Sequence, residues 1–163
     1  MESIELSIAV NTYKSPELLR LCLESIERFM PASGIRYEVM VVDSATEEDM
    51  EMMMREDFPN VRFFPFHENV GFKSLINTSL DEAKGEYVFL INGDIILTEG
   101  AVPELLNYLR KHEDIGILGP KQFNFNGSIQ QSFFRFYKPA TILYRRTFLG
   151  RFAFAKRHLN WFG

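Results

Sequence analysis

The sequence predicts an α/β fold in which a mostly parallel sheet is flanked by helices. Short apolar runs rich in β-branched residues alternate with longer stretches of helical period, which is the pattern of βαβ units. The chain has 163 residues, 46% of them hydrophobic and 25% charged, which fits one folded domain and not a disordered or fibrous chain. The single cysteine excludes an internal disulfide, and the scattered histidines exclude a zinc site of the usual spacing.

Five short apolar runs are predicted as strands. They span residues 4–10, 37–42, 61–66, 87–91 and 115–118. In open parallel sheets, ligands bind beyond the carboxyl ends of the strands. The polar residues that follow these runs are therefore the ones that bear on function.

Four helices are predicted between and after the strands. The first opens at Ser15, an N-cap followed by proline at the first helical position, and its apolar face includes Cys22, which we interpret as a packing residue. The other three are predicted at residues 47–55, 71–84 and 99–112. We expect the third helix to end at Gly85, acting as a C-cap glycine.

Charge divides the sequence into two unlike parts. Residues 133–163 hold seven basic residues and no acidic one, whereas residues 1–132 hold 11 basic and 22 acidic residues. Ten of the 23 aromatic residues also fall in residues 133–163, which we call the basic aromatic segment. We therefore predict a core over residues 1–132 and a separate role for the basic aromatic segment.

Three kinds of partner suit the basic aromatic segment. Residues 139–154 predict an amphipathic helix that packs on another part of a larger protein, or lies on a membrane with arginines meeting anionic headgroups. The packing interpretation is favoured, because so rich an apolar surface usually marks an absent partner. The same surface predicts a homo-oligomer formed through residues 133–163. Nucleic acid is disfavoured, because the acidic core would repel phosphates.

Polar residues follow three of the predicted strands and outline a nucleotide site. They are Asn11, Thr12 and Tyr13 after the first strand, Asp43 after the second, and Asn92, Gly93 and Asp94 after the fourth. A tyrosine can stack on a base, one carboxylate can accept from its N–H, and another can hold a divalent cation that bridges phosphates. Each residue type alone is also common in turns and helix N-caps, so the prediction depends on their joint placement.

Several other chemistries lack their sequence signatures. No G-x-G-x-x-G follows the first strand and no G-x-x-x-x-G-K-[ST] occurs, which disfavours dinucleotide oxidoreductases and P-loop NTPases. H-E-x-x-H and G-x-S-x-G are also absent. A nucleotidyltransferase would need a glycine-rich, arginine-containing loop after the first strand. Residues 11–15 offer none, which disfavours that class of enzyme. Without a glycine cradle, a metal must supply the positive charge for phosphates, and Asp94 is the best candidate ligand.

Four segments, in this order, resemble the nucleotide-sugar half of family 2 glycosyltransferases. They read SIAVNTY at residues 7–13, VVDS at 41–44, NVGF at 69–72 and GEYVFLINGD at 85–94. GPK at residues 119–121 and GSIQQS at 127–132 resemble the continuation found in the rhamnosyltransferase-like branch. The resemblance implies a GT-A fold, Rossmann-like and here incomplete. It also implies a hexosyltransferase that moves a sugar from a nucleoside diphosphate to an acceptor hydroxyl with inversion.

The resemblance also implies roles for the residues at the strand ends. Asn11, Thr12 and Tyr13 would lie against the base and ribose, and Asp43 would hydrogen-bond the base. Asn92 and Asp94 would occupy the D-x-D position and bind Mg²⁺ or Mn²⁺. These assignments predict a nucleotide site whose metal is held by one amide and one carboxylate, a set that Mg²⁺ tolerates.

The resemblance implies further roles at the turn formed by residues 69–71 and just after it. Lys73 would add positive charge near the phosphates, although a solvated helix lysine is an equally good interpretation. Asn69 and Gly71 are expected to be structural, the first as a helix cap and the second as a turn glycine.

The resemblance further implies partners and a setting. The donor would be a UDP-sugar or dTDP-sugar, the acceptor a glycan or a lipid-linked molecule, and the setting cell-surface polysaccharide biosynthesis.

No apolar run approaches the roughly 18 residues of a membrane span, and the first residues are acidic where a secretory signal would be basic. We therefore expect a cytoplasmic protein or one associated with the cytoplasmic face of a membrane.

The sequence supplies no convincing catalytic base. Inversion needs a general base at the acceptor hydroxyl. The carboxylates after Asp94 are Glu99, Glu104, Glu113 and Asp114, and all four suit exposed helix or turn positions. We therefore expect the base to lie beyond Gly163 in a longer enzyme, and this chain alone to be inactive. The alternative is a non-catalytic nucleotide-sugar-binding or interaction module.

Overall fold

A computed structural model describes residues 3–132, 136 and 138–162, with the backbone alone for residues 160–162. Within these residues the chain forms two compact units that divide between Gly116 and Ile117. The aromatic residues at positions 133, 134 and 137 and the side chains at 161 and 162 lie outside the described residues. The separate role of residues 133–163 stays a prediction.

The first unit is built on a four-stranded parallel sheet. Its strands are β1 (Leu6–Tyr13), β2 (Tyr37–Ser44), β3 (Arg62–Phe66) and β4 (Tyr87–Asn92), in the order β3-β2-β1-β4. The first seven residues of β1 are all buried, as expected for a central parallel strand with both faces covered. Tyr13 pairs with Ser44 across β1 and β2, and Asn11 pairs with Asn92 across β1 and β4. The carboxyl ends of these strands therefore meet at one edge.

Four helices flank the sheet, close to their predicted positions. They are α1 (Pro16–Phe29), α2 (Glu48–Glu56), α3 (Gly71–Glu82) and α4 (Ala101–Lys111). Leu19 and Ile26 of α1 join Ile8 and Val10 of β1 in the hydrophobic core, where full burial of each such side chain contributes about 1.5–3 kcal/mol. Cys22 is fully buried in the same core, which confirms the packing interpretation.

The predicted C-cap role of Gly85 is wrong. Helix α3 ends at Glu82, and Gly85 is not among the glycines with positive φ. Instead, a Cβ at Gly85 would lie 2.5 Å from the backbone nitrogen of Ser7. The Ser7 hydroxyl accepts hydrogen bonds from the backbone N–H groups of Lys84 (3.0 Å) and Gly85 (2.8 Å). This position is glycine because the loop before β4 lies against the backbone of β1.

The fifth predicted strand, at residues 115–118, is also wrong. The Ile115 N–H bonds to the His112 carbonyl oxygen over 3.0 Å in a turn, and Ile117 is 93% exposed. The described sheet ends at β4, and residues 115–118 form no ladder with it. Glycines at positions 116 and 119 add an entropic cost to any extended conformation here.

The second unit contains a hairpin and a pair of helices. The hairpin consists of β5 (Gln122–Phe123) and β6 (Ile129–Gln130), which are antiparallel and were not predicted. It is followed by α5 (Pro139–Arg146), a 3₁₀ turn at Phe148–Arg151 and α6 (Ala153–Phe162). No helix among the described residues is long and apolar enough to cross a bilayer.

The single helix predicted over residues 139–154 is therefore interrupted. Thr147 has an extended backbone, and its hydroxyl accepts a hydrogen bond from the Leu149 N–H over 3.3 Å. A Cβ at Gly150 would collide with the carbonyl oxygen of Tyr144. Across the break, the Thr141 hydroxyl of α5 is 2.8 Å from His158 Nε2 of α6. The threonine and glycine turn the chain so that the two helices pack together.

Candidate functional site

A cavity of about 380 Å³ lies at the carboxyl edge of the parallel sheet. Its wall is formed by the ends of β1, β2 and β4 and by the beginnings of α1 and α3. The polar residues of the wall include Asn11, Thr12, Tyr13, Ser44, Asn69, Asn92 and Asp94. Five of the seven residues predicted to bind the nucleotide sugar are thus brought together, and two, Asp43 and Lys73, are not on this wall.

The apolar part of the wall exposes two aromatic rings. Tyr13 is 50% exposed and Phe72 is 61% exposed, and Leu18 also lines the cavity. Exposed rings beside a cavity of this size can cover the flat face of a bound ring system. The sequence predicted a ligand-binding role for Tyr13 and none for Phe72 or Leu18. Their positions in the first turns of α3 and α1, at the edge where the strands end, could have indicated such a role.

Asn11 is buried and fixed by a helix. Its side-chain oxygen accepts a hydrogen bond from the Ser79 hydroxyl of α3 over 2.8 Å. This bond links the end of the central strand to the helix that forms one side of the cavity. The orientation of the Asn11 amide is therefore set by the protein before any ligand binds.

The turn that carries Asp94 lies directly against β1. The Gly93 N–H donates to the Asn11 carbonyl oxygen over 2.9 Å, which extends the β1–β4 pairing by one residue. A Cβ at Gly93 would be 2.9 Å from the Thr12 hydroxyl oxygen. Asp94 follows this contact and is exposed on the cavity wall. The carboxylate is thus presented from a rigid edge of the sheet.

Asp43 lies inside the protein. It is 1% exposed, and among the described residues no donor reaches either carboxylate oxygen with good hydrogen-bond geometry; the Thr46 hydroxyl donates to the Asp43 backbone oxygen instead, over 3.4 Å. Burial raises the pKa of Asp43 above its ordinary value, and the charges of Asp49 and Glu47 add to that effect; the nearby Thr46 hydroxyl and Ser44 N–H oppose it only in part. A buried carboxylate without partners destabilises the fold, so its presence calls for a functional explanation.

Ser44 connects β2 to the start of α3. Its hydroxyl donates to the Asn69 side-chain oxygen (3.4 Å) and accepts from the Val70 N–H (3.1 Å). The same Asn69 oxygen accepts from the Gly71 N–H over 3.1 Å, and Gly71 has a φ of 74°. Gly71 therefore has the turn role that the sequence predicted. The predicted cap role of Asn69 is wrong in detail, because the N-cap of α3 is Val70 and the Asn69 side chain bonds to the Gly71 N–H from one residue further back. The sequence placed Ser44 at this strand end but did not predict that it links β2 to α3.

The two lysines near this edge of the sheet do not line the cavity. Lys73 is exposed on α3. Lys14 forms an ion pair with Glu47 over 2.9 Å, and the hydrogen bond to Glu47 raises the pKa of Lys14. Lys14 (φ 49°) and Ala45 (φ 57°) are the two non-glycine residues with positive φ in the described chain. They follow the paired ends of β1 and β2, so backbone strain is concentrated at this edge.

Asn92 and Asp94 are the residues on the cavity wall with the best donor atoms for a hard divalent cation. In the part of the chain that the structure describes, no group of three or more His, Cys, Asp or Glu side chains could hold a metal. Mg²⁺ usually keeps one or two protein carboxylates and takes its other ligands from water and phosphate oxygens, so the pair fits such an ion only together with a phosphate ligand. Cys22 is buried in the hydrophobic core and does not line the cavity, and burial raises the pKa of its thiol to about 12.

The carboxylates that follow Asp94 are not placed for acid–base chemistry in this cavity. Those at positions 99, 104, 113 and 114 are all exposed, and none lies on the cavity wall. Among the described residues, the cavity therefore has groups for holding a ligand and a cation but no second carboxylate for an acceptor. The exposed positions of these four carboxylates match the sequence prediction, and the position of the catalytic base stays a prediction.

Comparison with known proteins relates this chain to a family of glycosyltransferases. A family model described as glycosyl transferase family 2 matches residues 7–158. The poly(ribitol-phosphate) β-N-acetylglucosaminyltransferase TarP of Staphylococcus aureus (strain N315) is 27% identical over 118 residues, which cover 71% of this chain and 36% of that protein. The chain thus spans about a third of the length of this relative.

Solved structures show the fold. S. aureus TarS residues 1–349 in complex with UDP superpose with a TM-score of 0.57 at 20% identity, covering 67% of this chain and 33% of that one. The mannosyltransferase PcManGT from Pyrobaculum calidifontis, in complex with GDP-Man and Mn²⁺, gives a TM-score of 0.58 at 23% identity. This match also covers 67% of this chain and 33% of that chain. These neighbours have the GT-A fold, so the predicted fold class is confirmed over about two thirds of the chain.

Proposed function

The chain belongs to glycosyl transferase family 2, and from that premise we propose that its cavity binds a nucleoside-diphosphate sugar and supports transfer of the sugar to an acceptor hydroxyl. The observation that carries the proposal is the convergence of Asn11, Tyr13 and Asp94 on one cavity of about 380 Å³. Ligand sites in open parallel sheets lie at this edge, beyond the carboxyl ends of the strands. A cavity of this volume suits part of a nucleotide sugar.

The base and ribose lie against the end of β1. Tyr13 has an exposed ring that stacks on the base, and Asn11 offers an amide whose orientation Ser79 already fixes. Asp43 lies just below the wall, next to Ser44, and accepts a hydrogen bond from a base N–H when a side-chain rotation opens it to the ligand. An unpartnered buried carboxylate is the feature that favours this role for Asp43.

The diphosphate lies beside Asn92 and Asp94. These two residues would hold Mg²⁺ or Mn²⁺ together with phosphate oxygens of the donor. A bound cation would supply positive charge to the diphosphate leaving group. Asp94 is well suited to this role because Gly93 fixes its backbone against β1. Lys73 is exposed and has no part in the proposed phosphate site.

The reaction inverts the configuration at the anomeric carbon. A single displacement of this kind needs a base that removes the proton of the acceptor hydroxyl. No carboxylate after Asp94 lies on the cavity wall in the described residues, so we assign the base to a part of the enzyme outside the described cavity. We propose that residues 1–163 alone bind the donor but do not transfer its sugar.

The donor is a UDP-sugar or dTDP-sugar, and the acceptor is a glycan or a lipid-linked glycan at the cell surface. The relation to the S. aureus enzyme that acts on poly(ribitol-phosphate) supports a polymer acceptor. A second candidate function is a non-catalytic nucleotide-sugar-binding module, which the lack of a base on the cavity wall favours. Slow hydrolysis of the donor would distinguish the enzyme from this module.

The proposal is tested by titrating UDP, dTDP and GDP calorimetrically in the presence of Mn²⁺. Loss of the ring in Tyr13→Ala should weaken nucleotide binding about tenfold, because base–aromatic stacking contributes about 1–3 kcal/mol. Tyr108→Ala is a matched control, since Tyr108 is 46% exposed and does not line the cavity. Failure of all three nucleotides to bind, or equal losses in the two variants, would contradict the proposed function.

A further inference from the structure

The second unit displays three exposed phenylalanine rings, two of which contact the third, Phe152. Phe148 and Phe152 meet edge to face with ring centroids 6.4 Å apart, and Phe152 stacks on Phe154 at 5.8 Å with an interplanar angle of 9°. They are 71%, 49% and 58% exposed, respectively. We call these three residues the aromatic cluster. It lies on the 3₁₀ turn between α5 and α6 and at the start of α6, so the break at Thr147 creates it.

The aromatic cluster is held from below by the helix pair. Tyr144 of α5 contacts Phe154 edge to face at 5.8 Å and His158 of α6 at 5.4 Å. Thr141 is fully buried and is 2.8 Å from His158 Nε2. These contacts are made beneath the exposed rings. The rings are thus fixed in an exposed arrangement and not attached to a loose chain end.

The charge of the surrounding unit has one sign. Residues 117–163 contain eight basic residues and no acidic residue, whereas residues 1–116 contain ten basic and 22 acidic residues. Arg146, Arg151 and Lys156 are exposed and lie within two residues of a member of the aromatic cluster in sequence. Exposed apolar rings with basic residues next to them in sequence, in a unit whose sequence has no acidic residue, are the composition that binds the interface of an anionic bilayer.

We propose that the aromatic cluster and its neighbouring cations form a docking surface for anionic lipid membranes. The rings enter the boundary between headgroups and acyl chains, and Arg146, Arg151 and Lys156 contact lipid phosphates. At about 200 Å² per phenylalanine, the exposed part of the cluster is about 350 Å². That is less than half of the roughly 800 Å² that each partner buries in a stable protein interface. The three rings alone are thus smaller than one side of a stable protein interface, and they anchor a peripheral protein together with the cations.

The experiment is co-flotation of the full chain with phosphatidylglycerol-containing vesicles and with pure phosphatidylcholine vesicles. We compare the wild type with the F148A/F152A/F154A variant and with the R146Q/R151Q/K156Q variant. Phe125→Ala is the matched control, because Phe125 is 93% exposed in the same unit and is not in the cluster. Circular dichroism verifies that each variant keeps its helices. If the triple variant fails to fold, Phe148→Ser takes its place, because it removes only the most exposed of the three rings.

The wild type should bind the phosphatidylglycerol vesicles and not the phosphatidylcholine vesicles, and added salt should weaken binding. The charge variant should lose about a hundredfold in partition coefficient and the ring variant roughly tenfold or more, while Phe125→Ala keeps wild-type binding. Absence of vesicle binding, or equal binding by the wild type and the ring variant, overturns the proposal. So does a dimer, seen by light scattering, that dissociates in the ring variant while no form binds vesicles, since the surface would then join two copies.

Discussion

Gly93 packs so closely against Thr12 that a methyl group in its place would lie 2.9 Å from the threonine hydroxyl oxygen and 3.0 Å from its Cβ. Thr12 is 6% exposed and β-branched, so its side chain has little room to move. The distance between the end of β1 and the turn that carries Asp94 is therefore set by the lack of a side chain at one position. This contact therefore fixes the spacing between the end of β1, where Tyr13 is proposed to bind the base, and Asp94, which is proposed to lie beside the diphosphate.

The first prediction concerns this contact. Gly93→Ala should destabilise the fold by about 1–3 kcal/mol, because the added methyl group must displace Thr12 or the turn. It should also weaken nucleotide binding, since Asp94 moves with the turn. Chemical denaturation and nucleotide titration measure the two effects. Gly116→Ala is the control, as a Cβ there has no neighbour within 4 Å; equal stability of the two variants would show that the Gly93 contact is not tight.

The second prediction concerns the buried carboxylate of Asp43. Its pKa is raised in the folded state, so the folded protein holds this proton more tightly than the unfolded chain does. Stability therefore falls as pH rises through the raised pKa, and Asp43→Asn should be more stable than the wild type at neutral pH by about 1 kcal/mol. The difference should vanish below the ordinary value of 3.8. Urea denaturation across this pH range measures it.

Asp43→Asn also separates a functional role from a structural one. If Asp43 accepts a base N–H, loss of its charge should weaken UDP binding about tenfold while the fold becomes more stable. If Asp43 instead served to stabilise the fold, Asp43→Asn would be less stable than the wild type. A variant that is less stable than the wild type at neutral pH and binds UDP equally well would refute the role proposed for Asp43.

The third prediction concerns Glu38, at the other end of the sheet. The Ser7 hydroxyl donates to Glu38 over 2.7 Å, and Arg62 pairs with it at 3.0 Å. Although burial acts in the opposite direction, these bonds and that of the Lys84 N–H lower the pKa of Glu38. Its stabilising effect is thus present above the ordinary value of 4.5 and is lost as pH falls through the lowered pKa. Glu38→Gln should unfold with a flatter acid dependence, whereas the exposed Glu86→Gln should match the wild type.

The fourth prediction concerns catalysis by the chain itself. Purified residues 1–163 should hydrolyse a UDP-sugar slowly at most and should transfer no sugar, because a general base typically contributes 10²–10⁴-fold and none lies on the described cavity wall. A radiolabelled donor with glycan and lipid-linked acceptors provides the assay. Robust transfer to any acceptor would show that a base has been overlooked.

Much of the first unit could be predicted because hydrophobic period and turn residues act locally. Four strands and four helices follow from them, and since parallel strands end at one edge, the meeting of Tyr13, Asn92 and Asp94 follows too. Side-chain direction does not follow. Asp43 occupies the right strand end but points into the protein, and a difference of one residue puts Ser44 on the wall instead.

The errors have a common cause, which is that they depend on contacts between distant parts of the chain. Residues 115–118 have the composition of a strand but do not pair with the edge strand β4. Gly85 follows a helix, yet its close approach is to Ser7 on another element. The break at Thr147 depends on a turn that brings Gly150 against Tyr144, which residue periodicity does not reveal.

The most direct test of the proposed site is the linkage between metal and nucleotide at Asp94. UDP is titrated into the wild type, Asp94→Ala and the control Asp114→Ala, each with Mn²⁺ and with a chelator. Asp114 is a matched control, because it is exposed and does not line the cavity. We predict that Mn²⁺ strengthens UDP binding about tenfold or more in the wild type and in Asp114→Ala but has no effect in Asp94→Ala. Equal enhancement by Mn²⁺ in all three proteins, or no UDP binding in any of them, would contradict a metal-assisted nucleotide-sugar site at this edge of the sheet.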